Sequence, residues 1–133
     1  MEKEGALKIL IAEDENHIRM MLKAIVSGLP PRLQAEVVAE VSNGREAVDV
    51  ARLVKPDVVL MDINMPVLDG LQALEKIRES LPSTCVIMLT SMADMASVRK
   101  AVSLGASNYI LKGTPPAEIQ SMIVETWHEH SSV

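Results

Sequence analysis

The chain has 133 residues, 48% of them hydrophobic and 23% charged, and carries a net charge of −5. That length suits one compact domain with a real core, and the acidic balance disfavours direct binding of nucleic acid or of an anionic membrane. A single cysteine excludes an internal disulfide and fits a reducing cytoplasm, no apolar run is long enough to span a bilayer, and the acids flanking the first apolar run exclude a signal peptide.

The first apolar run, Leu7–Ala12, ends on Glu13-Asp14. A helical pattern follows, with Ile18, Met21, Leu22 and Ile25 on one face, and Gly28-Leu29-Pro30-Pro31 stops it. The second run is Val37–Val41, closed by Ser42-Asn43 and followed by Ala47, Val50, Ala51 and Val54 at helical spacing. The third, Val58–Met61, runs into Asp62, Asn64, Pro66 and the pair Asp69-Gly70, which reads as a turn with the N-cap of a helix carrying Leu71, Leu74 and Ile77. The fourth, Val86–Leu89, ends in Thr90-Ser91, and Met95, Val98 and Val102 then share a helical face. The fifth, Tyr109–Leu111, ends in Lys112 and precedes a last helix with Ile119, Met122, Ile123 and Trp127 on one side. Residues from His128 onward read as a frayed end.

These runs are continuous rather than alternating, as expected of strands buried on both faces of a parallel sheet. Five alternations of strand and helix predict a doubly wound α/β domain with helices on both faces. In such sheets ligands bind beyond the carboxyl ends of the strands. There this chain places Glu13, Asp14, Asp62, Thr90 and Lys112. Carboxylates brought close repel unless a cation joins them, and Mg²⁺ prefers oxygen ligands. A carboxylate beside Mg²⁺ can act as a nucleophile towards a phosphoryl group, with the transferring charge spread over the ion, Lys112 and the Thr90 hydroxyl.

Taken together, Glu13-Asp14, Asp62-Ile63-Asn64-Met65-Pro66, Asp69-Gly70, Thr90-Ser91 and Tyr109-Ile110-Leu111-Lys112 resemble the receiver domain of two-component response regulators. The resemblance covers the chain from Lys8 to about Trp127 and is strongest to receivers of the NarL/FixJ type. It implies a CheY-like (βα)5 fold of the flavodoxin kind, with strand order 2-1-3-4-5. It implies Asp62 as acceptor of phosphate from a histidine kinase or phosphotransfer protein. Metal binding would fall to Asp14 directly, Glu13 through water, Asp62, and the backbone carbonyl of Asn64. Thr90, Ser91 and Lys112 would hold the phosphoryl group. Tyr109 would turn inward with Thr90 and reshape the surface of the fourth helix, fifth strand and fifth helix. Homodimerisation on phosphorylation is a further family expectation. Two departures stand out: Gly113 replaces the proline that often follows the lysine, and Met92 lies two residues beyond Thr90, where an apolar side chain cannot orient an attacking water and implies a longer-lived phosphoprotein.

Singly, each residue has a plainer reading. Asp62 could end a turn, Glu13-Asp14 could cap the first helix with Asp14 contributing, Lys112 could be a solvated charge and Tyr109 core. Competing functions are an aspartate-nucleophile phosphatase, a pseudo-receiver interaction domain and a flavin carrier. Asn64 stands where the phosphatase's second acid belongs, and near-absence of aromatics argues against flavin. The expectation is one receiver domain over residues 1–133, with no output domain in the chain: either a stand-alone regulator or the N-terminal part of a transcription regulator.

Overall fold

The computed structural model describes residues 5–91 and 95–131. Five strands, β1 (Leu7–Ala12), β2 (Ala35–Val41), β3 (Val58–Asp62), β4 (Cys85–Thr90) and β5 (Asn108–Leu111), alternate with helices α1 (Asn16–Ser27), α2 (Gly44–Val54), α3 (Gly70–Ser80), α4 (Met95–Ser103) and α5 (Pro116–Ser131). The strands form one parallel sheet in the order β2-β1-β3-β4-β5, as expected.

Burial follows position in the sheet. Every residue of β3 and β4 is buried, because helices cover both faces of these inner strands. On one face α2, α3 and α4 contribute Ala47, Val48, Leu74, Ile77 and Ala101 to a core with Leu10, Val59, Met61 and Met88. On the other, α1 and α5 contribute Leu22, Ile25, Ile119 and Ile123 to a core with Ile9, Ile11, Leu60 and Ile87. The second strand begins two residues earlier than its apolar run suggests, and it is half-buried. It lies at the sheet edge, where Glu36 and Glu40 face water and discourage pairing with another chain.

Three other expectations change. The α4 face made by Met95, Val98 and Val102 is buried only at Val98. Val98 and Ala101 are buried, whereas Met95 and Val102 are exposed. Their shared spacing also fits an apolar stripe left open to solvent. The chain end is not frayed at His128, since α5 runs to Ser131. His130 is held by the Ser83 carbonyl at 2.6 Å and stacks on Trp127 with ring centroids 6.0 Å apart. Strand β3 extends by one residue to Asp62, and β4 by one at each end, to Cys85 and Thr90, so the Asp62 and Thr90 side chains are fixed by ladder geometry rather than carried on loops.

The turn after β3 is tightly held. The Asp69 side chain accepts from the Gln72 N–H at 2.9 Å, and the Gln72 side chain returns a bond from the Asp69 N–H at 3.2 Å, a reciprocal helix cap. The Gly70 N–H donates to the Ile63 carbonyl at 2.7 Å. A Cβ on Gly70 would collide with the carbonyl oxygen of Asp62. Glycine is therefore what lets α3 start directly against the end of β3. Overpacking of this kind costs about 1–3 kcal/mol, so Gly70→Ala should lower the stability measured by urea unfolding by that amount. Cys85 is fully buried in β4, and burial is the main cause pushing its thiol above the usual cysteine value. Since the thiolate is the reactive form and the sulfur is buried, the native chain should react with a disulfide reagent more slowly than the chain in denaturant.

Candidate functional site

Strand register alone assembles the site. Ala12 of β1 pairs with Met61 of β3, which sets Glu13 beside Asp62. Asp62 pairs with Leu89, placing Thr90 one step beyond, and Thr90 pairs with Leu111, placing Lys112 one step beyond that. The Lys112 N–H donates to the Thr90 carbonyl at 2.8 Å and fixes the last step. Expected site residues from four strands thus meet at one edge of the sheet.

The Lys112 ammonium lies 2.9 Å from Glu13 Oε1 and 3.0 Å from Asp62 Oδ2. Glu13 is wholly buried and Asp62 is 3% exposed, so this ammonium sits between two carboxylates that have almost no water. The other oxygens are engaged by backbone: Glu13 Oε2 accepts from the Glu15 N–H at 3.0 Å and Asp62 Oδ1 from the Asn64 N–H at 3.2 Å. Asp14 is exposed at the rim. Carboxylate oxygens of Glu13, Asp14 and Asp62 all lie within 4.8 Å of one another.

Burial is the largest influence on both inner acids and holds their carboxyl groups above the usual range, against the pull of Lys112. The charge of Asp62 adds to the rise at Glu13, and that of Asp14 to the rise at Asp62. Burial alone would lower Lys112, but its hydrogen bonds and charge contacts with the two acids outweigh this and raise it. One ammonium among three carboxylates leaves the edge strongly negative, and Glu13 Oε1 has no hydrogen-bond partner beyond that ammonium among the described residues. A hard divalent cation with oxygen preference fits this donor set.

Some expected residues sit apart from this contact. Ser91 is exposed just past β4, and Tyr109 is 36% exposed on β5 with its side chain outside the core. Met92 lies outside the described residues. Asp14 does not cap α1. Its N-cap position is Glu15, with no side-chain cap bond, and the buried Glu13 carboxylate takes the Glu15 N–H. His17 pairs loosely with Glu15 at 3.7 Å, both exposed. Sequence reading missed Arg19, whose Nη1 donates to the Glu13 carbonyl at 2.5 Å. Its position one turn into the helix after the acids was the available signal.

The chain was compared with known proteins. Residues 9–124 match the response regulator receiver domain family. The chain is 42% identical over 106 residues to the transcriptional regulatory protein LnrK of Bacillus subtilis, covering 80% of this chain and 47% of LnrK. It is 44% identical over 106 residues to the chemotaxis protein CheY of Listeria monocytogenes, covering 80% of this chain and 86% of that protein. Among solved structures, a LuxR-family two-component response regulator from Aurantimonas is 27% identical, with a TM-score of 0.86 over 94% of this chain and 87% of that one. The receiver domain of the sensor histidine kinase PA1611 from Pseudomonas aeruginosa, solved with magnesium coordinated in its active-site cleft, is 28% identical, with a TM-score of 0.77 over 92% and 98%. The chain spans about half the length of the transcriptional regulators it matches. A parallel β2-β1-β3-β4-β5 sheet, an acid cluster at its carboxyl edge and a family match across most of the sequence agree: the chain belongs to the receiver domains of two-component response regulators.

Proposed function

We propose that Asp62 is the phosphoacceptor of this receiver and that Lys112 senses its charge. The supporting observation is the part-buried ammonium 3.0 Å from the buried Asp62 and 2.9 Å from the buried Glu13. In the reaction a carboxylate oxygen of Asp62 attacks the phosphorus of a phosphohistidine on a kinase or phosphotransfer protein. The P–N bond breaks, the imidazole leaves and takes a proton from solvent, and Asp62 becomes an acyl phosphate. Glu13, Asp14, Asp62 and the Asn64 carbonyl are the residues that would hold Mg²⁺, whose charge offsets that of the phosphoryl oxygens. Lys112 then exchanges a carboxylate for a phosphoryl oxygen while remaining paired. Thr90 and Ser91, at the end of the neighbouring strand, supply hydroxyls on the same side.

The consequence for the surface follows from β5. Lys112 ends that strand, and Tyr109 and Leu111, with Met95 and Val102 of α4, are among the exposed large hydrophobic residues. A shift of Lys112 and Thr90 towards a phosphoryl group would draw on the strand that carries Tyr109 and Leu111 and alter the fit of these exposed apolar residues to a partner. The output served is transcription, as in the relatives named as transcriptional regulators, or motility, as in the chemotaxis relative; a second copy of the chain is one candidate partner. No helix among the described residues is long and apolar enough to cross a membrane, and the chain would act in the cytoplasm.

Incubation with acetyl phosphate and Mg²⁺ should add one phosphoryl group to the wild-type chain by intact mass, and none to Asp62→Asn or to the chelated control. Addition to Asp62→Asn would place the nucleophile elsewhere. Lys112→Ala leaves two buried acids without their cation, a change that costs about 3–5 kcal/mol. It should lower the melting temperature in chelator, and Mg²⁺ should raise that temperature more in the variant than in wild type.

A further inference from the structure

The proposed metal site contains one acid whose aim nothing at its own side chain explains. Asp14 is exposed and makes no hydrogen bond or ion pair among the described residues, yet its carboxylate lies within 4.8 Å of oxygens of Glu13 and Asp62. Its position must come from the backbone on either side of it. That backbone is clamped at Glu13: the N–H donates to the Val41 carbonyl at 3.0 Å, and the carbonyl accepts from Arg19 Nη1 at 2.5 Å. The same guanidinium bonds the Asn16 side chain through Nη2, and its Nε lies 3.9 Å from Glu40 of β2. Glu40 is in turn held by Lys23 at 3.0 Å.

We propose that Arg19 is a positioning residue for divalent-cation binding, fixing the Glu13-Asp14 turn so that Asp14 points at Asp62. The inference rests on the metal reading given above. A guanidinium suits the task because its planar fork can hold the Glu13 carbonyl and the Asn16 side chain together while its remaining N–H faces Glu40. Lysine supplies the same charge as a single point donor and cannot reproduce that bracing. Outer-sphere partners of this kind typically change metal affinity by about 10–100-fold when removed.

Mg²⁺ titration by calorimetry, with a thermal melt of each variant in chelator, separates this role from two others. Arg19→Ala should raise the Mg²⁺ dissociation constant by about tenfold or more, and Arg19→Lys should recover only part of the loss. Glu40→Gln, which leaves the bond to the Glu13 carbonyl in place, should weaken binding less than Arg19→Ala. In an Arg19→Ala chain that still melts cooperatively, phosphoryl uptake from acetyl phosphate should return towards wild type at saturating Mg²⁺. Unchanged affinity in Arg19→Ala would overturn the proposal, and so would tighter binding there with wild-type behaviour in Arg19→Lys, which would mark a simple charge effect. A wild-type chain that binds no Mg²⁺ would sink the metal reading itself, whereas equal binding by wild type and Arg19→Ala would sink only the role of Arg19.

Discussion

The pairing of Lys112 with Glu13 and Asp62 is the constraint around which this edge of the domain is organised. Buried carboxylates are tolerated when a cation and hydrogen bonds replace the water they lose. Here the cation comes from the end of β5 and the acids from the ends of β1 and β3, with β4 lying between β3 and β5. All four strands must therefore be in register for any of the three charges to be stable. Fold and site are one problem: a one-residue slip of β3 would turn Asp62 into the core and leave Lys112 with half its partners.

The same pairing makes the edge responsive. Two acids held above their usual range by burial are sensitive to any added positive charge, and an ammonium shared between them is free to change partner without leaving its site. A charge placed on Asp62 acts directly on Lys112, and through the Lys112 N–H to Thr90 carbonyl bond it acts on the junction of β4 and β5. The exposed Tyr109 and Leu111 lie on β5, and the exposed Met95 and Val102 on α4, the helix between β4 and β5 in the chain. On the opposite flank, the Arg19 fork ties the acid turn to edge strand β2, so the braced acid turn and the Lys112 end of the site are built from different strands.

Much of this was legible in the residues. Apolar runs mark all five strands and are continuous in the inner ones, because inner strands of a parallel sheet meet helices on both faces, and the run of β1 coincides with the strand's ends. Where the reading shifted, an environment explains it. Edge strand β2 mixes apolar residues with Glu36 and Glu40 and loses the continuous signature. In α4, Met95 and Val102 face solvent although they share helical spacing with the buried Val98, and spacing alone cannot tell such positions from core ones. The α5 end looked polar and loose until His130 met the Ser83 carbonyl, a contact between residues distant in sequence.

The sequence by itself determined the fold class, the alternation of five strands with five helices and the chemical inventory at the carboxyl edge, because hydrophobic periodicity and turn residues are local properties. It also determined the family, because acids, hydroxyl and lysine occur together at matching strand ends. Only the tertiary structure decided who pairs with whom: that Glu13 is buried and Asp14 exposed, that Glu13 rather than Asp14 accepts the N–H of Glu15 just before α1, and that Lys112 serves two acids at once. Burial and charge pairing are set by distances between strands far apart in the chain, and local pattern does not contain those distances.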